Sequence, residues 1–237
     1  MLRDRSSSNR TAGAVRWAAV ATLAALLSAP AMAKKEQLPE VDQDGLHLIK
    51  DSKVAVAYTK PGASLEPYTR LKILDCFVDF QKDWQRDYNM DQLGLDGRIT
   101  DKDAEEIKKN LAAEFNKVFT EVLTKKGFAI VDDVGPDVLL LRPALINVDV
   151  AAPDVARIGM SRTYVRSAGA MTLYMEFYDS ATSTLLARVV DPQADSDALA
   201  QQANRVTNRA AADRILRSWA ELLATHLGEV KHVTGSN

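Results

Sequence analysis

Two stretches of this chain repeat apolar residues at helical spacing along one side only, so neither is stable without a second layer to cover it. In the first, Ile107, Leu111, Phe115, Val118, Phe119 and Val122 form a single stripe, the mark of an amphipathic helix. Its ends are signposted. Thr100 stands as the N-cap, Asp101 and Asp103 fall in the first turn where acids suit the helix dipole, and Lys125 and Lys126 fall in the last. Gly127 then offers the left-handed stop. In the second stretch, from about Asn204 to Leu227, the stripe is Ala211, Ile215, Trp219, Leu222 and Leu223, with Gly228 as the expected end.

Between and before these helices the apolar period changes to two. Leu71 to Phe80 carries Leu74, Cys76, Val78 and Phe80 on one face and Leu71, Ile73 and Phe77 with Asp75 and Asp79 on the other. Val138 to Val150 alternates over a long run, with Leu139, Leu141 and Leu145 one way and Val138, Leu140, Ile146 and Val148 the other; Pro143 inside it suggests an edge or a bulge. Ala170 to Asp179 sets Met171, Leu173, Met175 and Phe177 on one face, Ser180 to Ser183 reads as a hairpin loop, and Leu185 to Val190 returns. Shorter strands are expected at Leu46–Ile49, Val54–Tyr58 and Phe128–Val131, and Gln81 to Arg98 reads as a polar stretch. Short turns between strands favour antiparallel pairs. The expected fold class is α+β: a single mostly antiparallel sheet with two amphipathic helices packed on one face.

The N-terminus reads as an address. Arg3, Arg5, Arg10 and Arg16 precede an apolar run from Trp17 to Leu27, and Ala31-Met32-Ala33 supplies the small-x-small pattern that a signal peptidase accepts. The run is shorter than the roughly 20 residues a bilayer span needs. Residues 1–33 are thus expected to be a cleaved signal peptide, 34–44 a flexible tail, 45–228 a single α+β domain and 229–237 a flexible C-terminal tail. No transmembrane segment is expected after cleavage.

Removing 33 of 237 residues leaves 204, and with them go four Arg and one Asp, so the net charge moves from -2 to -5. An acidic chain lacks the basic excess that phosphate backbones demand, which argues against nucleic acid as a partner. The single cysteine, Cys76, forms no internal disulfide and lies far from the cleavage point, so no lipid-accepting Cys heads the mature chain. Its place in an alternating strand marks it as a small core hydrophobe.

No cluster of residues spells out a known chemistry. Asp96-Gly97-Arg98-Ile99-Thr100 resembles the middle of a calcium loop, yet setting Gly97 at the sixth position puts Gln92 and Gly94 where carboxylates belong. A turn followed by a helix cap accounts for the same residues. His47, His226 and His232 show no metal-ligand spacing, and Met171 and Met175 follow the alternation of a sheet core. No metal, no cofactor and no catalytic residue is assigned. The candidate binding surface is the connection after the long strand, where Arg157, Arg162 and Arg166 accompany Ile158 and Met160. Guanidinium groups take carboxylate or phosphate bidentately, although a solvated loop explains the same charges. A carboxylate pair at Asp75 and Asp79 is the alternative for a hydrolase.

Several segments, in this order and spacing, resemble a known family. They are Tyr58 with Lys60-Pro61-Gly62-Ala63, Leu65 and Tyr68; Gly135-Pro136-Asp137-Val138-Leu139; Arg142-Pro143-Ala144-Leu145 with Asn147-Val148-Asp149; and Phe177-Tyr178-Asp179-Ser180 with Thr182, Leu185-Leu186-Ala187 and Val190-Asp191. Over about residues 45–227 the chain is similar to the bacterial envelope family called domain of unknown function 3313. The resemblance implies a bacterial, exported protein. Many members look like outer-membrane lipoproteins, a pattern from which this chain departs by lacking the lipid-accepting Cys. The family has no established catalytic residues to carry over.

The expectation is therefore an exported, periplasmic cell-envelope protein that binds an envelope protein partner through Arg157, Ile158, Arg162 and Arg166 and works without catalysis. The alternatives are a periplasmic hydrolase using carboxylates and a carrier of a small anionic ligand.

Overall fold

The structure, a computed structural model, describes residues 38–92, 98–150, 163–165, 169–194, 201–203 and 205–234. The elements in chain order are β1 (His47–Leu48), β2 (Val56–Thr59), β3 (Arg70–Ile73), β4 (Phe77–Phe80), α1 (Trp84–Met90), α2 (Asp101–Lys125), β5 (Ala129–Ile130), β6 (Val138–Val150), β7 (Thr163–Val165), β8 (Gly169–Asp179), β9 (Thr184–Ala194), β10 (Gln201–Ala203) and α3 (Arg205–Thr234). The α+β class holds. One sheet runs β1-β2-β9-β8-β6-β3-β5, with β4 also on β6, and β7 pairs with β10 in a second, two-stranded sheet.

The sheet is mixed. The pairs β1–β2, β2–β9, β9–β8 and β8–β6 are antiparallel, and of these β8–β9 is the one joined by the expected hairpin loop. In contrast β3 and β4 run parallel to β6, and β3 parallel to β5. The reason is α2, whose 25 residues carry the chain back to the end of the sheet it had left, and a helical crossover of that kind makes parallel neighbours.

The expected strand Leu71–Phe80 is two strands laid end to end along β6. Ile73 pairs with Leu141 and Phe77 with Ala144, so the first chain advances four residues where β6 advances three. The extra residue is a bulge, and it inverts the side-chain parity. Leu71 is buried in β3, whereas Cys76 and Val78 are the buried residues beyond the break, and Phe77 is turned out at 61% exposure. Pro143 lies at the same place. The Leu141 carbonyl accepts from the Leu74 amide at 2.9 Å, and strand alternation turns residue 143 to the same side. The missing amide proton of Pro143 thus faces the break, where no strand residue asks for it, and a proline sits in a central strand without an unmade bond.

A second bulge follows at Asn147, the residue of β6 with φ 51. It carries β6 from inward Leu141 and Leu145 to inward Val148.

The helix signals read from sequence are met in detail at α2. The Thr100 hydroxyl accepts from the Asp103 amide at 3.2 Å and the Asp103 carboxylate accepts from the Thr100 amide at 2.8 Å, a complete capping box. At the other end the Gly127 amide bonds the Thr124 carbonyl and the Phe128 amide the Leu123 carbonyl, both at 3.0 Å, with Gly127 at φ 89. This is a Schellman stop, and buried Phe128 and Leu123 supply its apolar contact.

Two elements differ from expectation. The polar stretch after β4 contains α1, which stacks Trp84 on Phe80 with ring centroids 4.0 Å apart and builds a small second core with Ile99, Ala104 and Ile107. Helix α3 continues through Gly228 to Thr234; Gly228 lies in open space, and its low helix propensity alone does not stop a helix whose buried face, Trp219, Ala224 and Leu227, is already docked.

The main core joins the stripes of α2 and α3 to the inward residues of the sheet: Phe115, Phe119, Leu123, Ile215, Leu216 and Trp219 meet Leu71, Val78, Leu141, Leu145, Leu173 and Met175. Arg217 bridges the helices, reaching Glu121 at 3.1 and 3.2 Å and Asp213 at 2.8 Å. Among the described residues no helix is long and apolar enough to cross a membrane.

Candidate functional site

Arg157, Ile158, Arg162 and Arg166 lie outside the described residues, as do Asp96 and Gly97. What frames the arginine segment is described. It spans the connection between β6 and β8, which closes at the pair Val150–Gly169. The connection from β9 to α3 leaves the same end of the sheet, since Ala170 pairs with Ala194. The two connections are joined where Thr163 to Val165 pair antiparallel with Ala203 to Gln201. Arg162 and Arg166 are the residues immediately before and after β7.

The densest polar constellation among the described side chains lies elsewhere, on the side of β8 and β9 that alternates with the core residues Met175 and Phe177. Glu176 is 5% exposed. Its carboxylate accepts from the Tyr174 hydroxyl at 2.7 Å, the Tyr178 hydroxyl at 2.8 Å and Arg188 at 2.8 and 3.1 Å, with Arg142 at 3.4 Å. Arg188 also donates to Asp42 and to Asp44, each at 2.6 Å, and its guanidinium stands 5.7 Å from the Tyr174 ring centre. The adjoining Tyr58, opposite Arg188 in register, donates to the Pro39 carbonyl at 3.0 Å.

The electrostatics of this cluster follow from its donors. Burial pushes the Glu176 carboxyl up, but the hydrogen bonds from Tyr174, Arg188 and Tyr178 outweigh it and leave its pKa below the ordinary value. Burial opposes the charge of Arg188, and its bonds to Asp44 and Glu176 overcome that and raise its pKa. Burial and the bond to Glu176 raise the Tyr174 phenol to about 12. A carboxylate so saturated with donors is held ionised and acts as an anchor rather than as an acid. What it anchors, through Arg188, is the segment carrying Asp42 and Asp44, residues that the sequence pattern placed in a tail.

A second buried carboxylate, Asp191, accepts from the Trp219 indole at 2.7 Å, the Ala55 amide at 2.8 Å and Gln193 at 3.0 Å, and so pins α3 and the start of β2 to β9. The remaining candidates separate. Asp75 falls in the break between β3 and β4, whereas Asp79 is on β4 and pairs with Lys108 at 3.3 Å. Asp103 spends its carboxylate on the helix cap. The Cys76 thiol is buried and pushed up to about 12, chiefly by that burial, which keeps it from reacting as a thiolate. Met171 and Met175 are core residues, as their alternation implies.

Reading the sequence alone missed the Glu176–Arg188 cluster. A signal for it exists, the Tyr-x-Glu-x-Tyr alternation at Tyr174, Glu176 and Tyr178 with an Arg on the returning strand.

The chain belongs to the family of proteins of unknown function DUF3313, whose model matches residues 49–223. The resemblance read from Tyr58 to Asp191 therefore identifies the family. No curated protein matches. Among solved structures the chain is similar to a protein from Xanthomonas campestris, at 10% identity over 76% of this chain and 94% of that one, with a TM-score of 0.42. It is also similar to a PelC dodecamer from Paraburkholderia phytofirmans, at 9% identity over 71% and 96% with a TM-score of 0.37. A minor lipoprotein from Acinetobacter baumannii matches at 8% identity over 68% and 92%, with a TM-score of 0.31.

Proposed function

We propose that this is an exported bacterial cell-envelope protein, resident in the periplasm, that acts by binding an envelope protein and not by catalysis. The observation that carries the proposal is the pairing of β7 with β10. Two long connections leave one end of a rigid sheet and are zipped to each other there, and loops mounted on such a scaffold are where recognition resides. Arg162 and Arg166 flank β7 in sequence, Arg157 and Ile158 precede it on the same connection, and together they supply guanidinium groups and an apolar side chain, residue types suited to a protein interface. The leader pattern supports export. Cleavage after Ala33 leaves the docked segment that carries Pro39, Asp42 and Asp44 whole.

The test is crosslinking in living cells with a tagged full-length chain, followed by envelope fractionation and mass measurement of the N-terminus. The expected result is a mature chain starting at Lys34, crosslinked to one abundant envelope protein. Changing Arg157→Glu, Ile158→Asp and Arg162→Glu together abolishes that crosslink while the thermal transition is kept. A partner retained by the triple variant overturns the surface; an uncleaved chain in the cytoplasmic fraction overturns the location.

A further inference from the structure

We propose that residues 38–48 form a latch, clasped by Arg188, that opens as a unit while the sheet and helices stay folded. Inside the segment the bonds are its own: the Asp42 carboxylate accepts from the amides of Asp44 and Leu46 at 2.9 Å, the Asp42 amide bonds the Leu46 carbonyl at 2.9 Å and the Leu48 amide the Glu40 carbonyl at 2.9 Å. The segment is therefore a compact turn with a shape of its own. Among the described residues its ties to the sheet converge on two neighbours in register, Arg188 for Asp42 and Asp44 and Tyr58 for the Pro39 carbonyl, while an exposed pair of Glu40 with Lys50 at 3.2 Å ties it only to the chain that follows. Strand β1 adds only two residue pairs. Leu46, 1% exposed, is the one deeply buried apolar residue the segment contributes, and it belongs to neither the main core nor the small second core.

A unit with few outward ties and a single deeply buried apolar side chain, outside both core clusters, has an opening free energy of its own below that of the sheet and helices. Two carboxylates draw on one guanidinium that Glu176 already occupies, so the clasp concentrates like charges at the point of attachment. Opening frees the guanidinium edges held by Asp42 and Asp44 and leaves the Tyr58–Thr59 stretch of the β2 edge unpaired. The closed latch thus shields that edge from pairing with another chain.

Hydrogen exchange on the mature full chain tests this, with the amides of Leu46 and Leu48 read against those of Leu141 and Leu173. The informative variant is Asp42→Asn with Asp44→Asn, which removes the charge from the clasp, keeps its size and leaves the Glu176–Arg188 pair intact. The latch amides are expected to exchange faster than the core amides in the unaltered chain, and about tenfold faster again in the variant, with the core amides unmoved. Latch amides that exchange only at the core rate overturn the proposal. So does a variant in which both sets accelerate together, or in which neither set changes.

Discussion

Glu176 on β8 lies directly opposite Arg188 on β9, and their 2.8 Å contact is made with both side chains nearly closed to water, at 6% and 12% exposure. An ion pair in such a place contributes mainly by what its loss leaves behind. Glu176→Ala leaves the Tyr174 and Tyr178 phenols without their acceptor and takes from the buried Arg188 guanidinium one of its three carboxylates, and is expected to cost about 1–3 kcal/mol of stability. Glu176→Gln keeps an acceptor for Tyr174 and Tyr178 and is expected to lose less. Urea denaturation of the two variants measures the difference; equal losses would show that charge, rather than hydrogen bonding, dominates.

The two glycines near helix ends are expected to respond oppositely to the same change. Gly127 has φ 89 and no atom within 4 Å of an added Cβ, so Gly127→Ala loses through backbone strain alone, about 1–2 kcal/mol. Gly228 lies inside α3 with the same open space, and Gly228→Ala gains about 0.5–1 kcal/mol from helix propensity. Paired thermal denaturation checks the sign of each.

Trp219 joins the core through its ring and Asp191 through its indole N–H. Trp219→Phe retains most of the apolar contact and removes a 2.7 Å donor from a carboxylate that is 8% exposed. The expected cost is about 1–3 kcal/mol, the penalty of an unsatisfied buried group. Adding Asp191→Asn should lessen the effect, because a neutral side chain left without that donor is less costly than a charged one. A double-mutant cycle by denaturant measures the coupling.

Acid sensitivity should be traceable to Asp137. The Arg70 guanidinium bonds it at 2.6 and 2.7 Å and, with weaker help from the Thr69 hydroxyl, brings its pKa from 3.8 to about 2. A carboxyl depressed by folding gives stability that is fully present above its unfolded pKa and is lost as pH falls through the folded one. The gap in melting temperature between the unaltered chain and Asp137→Asn is therefore expected to be constant above pH about 5 and to close between about pH 4 and 2. A gap that persists below pH 2 would assign the effect to packing.

Much of the fold could be read from spacing. The Thr100 cap and the Gly127 stop of α2 survive folding because each is a local effect, decided within one turn of helix, and its stripe survives because the sheet and α3 supply the layer it needs. What escaped was decided by single-residue offsets. Leu71–Phe80 alternates without visible interruption, yet one extra residue against β6 splits it and reverses its faces. The candidate site was hidden in the same way. Counting back from the Ser180–Ser183 turn sets Glu176 opposite Ala187, and only the irregularity by which Tyr178 pairs with Leu185 but Phe177 with Ala187 brings Arg188 into place. Asp42 and Asp44 come from 146 and 144 residues away, beyond the reach of any local pattern. Helix α1 was missed because its seven residues bury only Trp84 and leave no stripe to see.

The break between β3 and β4 and the proline across from it have a consequence for how the chain finds its own alignment. A straight run from Leu71 to Phe80 zipped along β6 would need an amide proton at position 143, and proline has none. Sliding either half by one position turns its apolar set outward. Each irregularity is thus the index mark by which the other is located. Two otherwise repetitive strands, which could have been laid side by side at several offsets, admit only one.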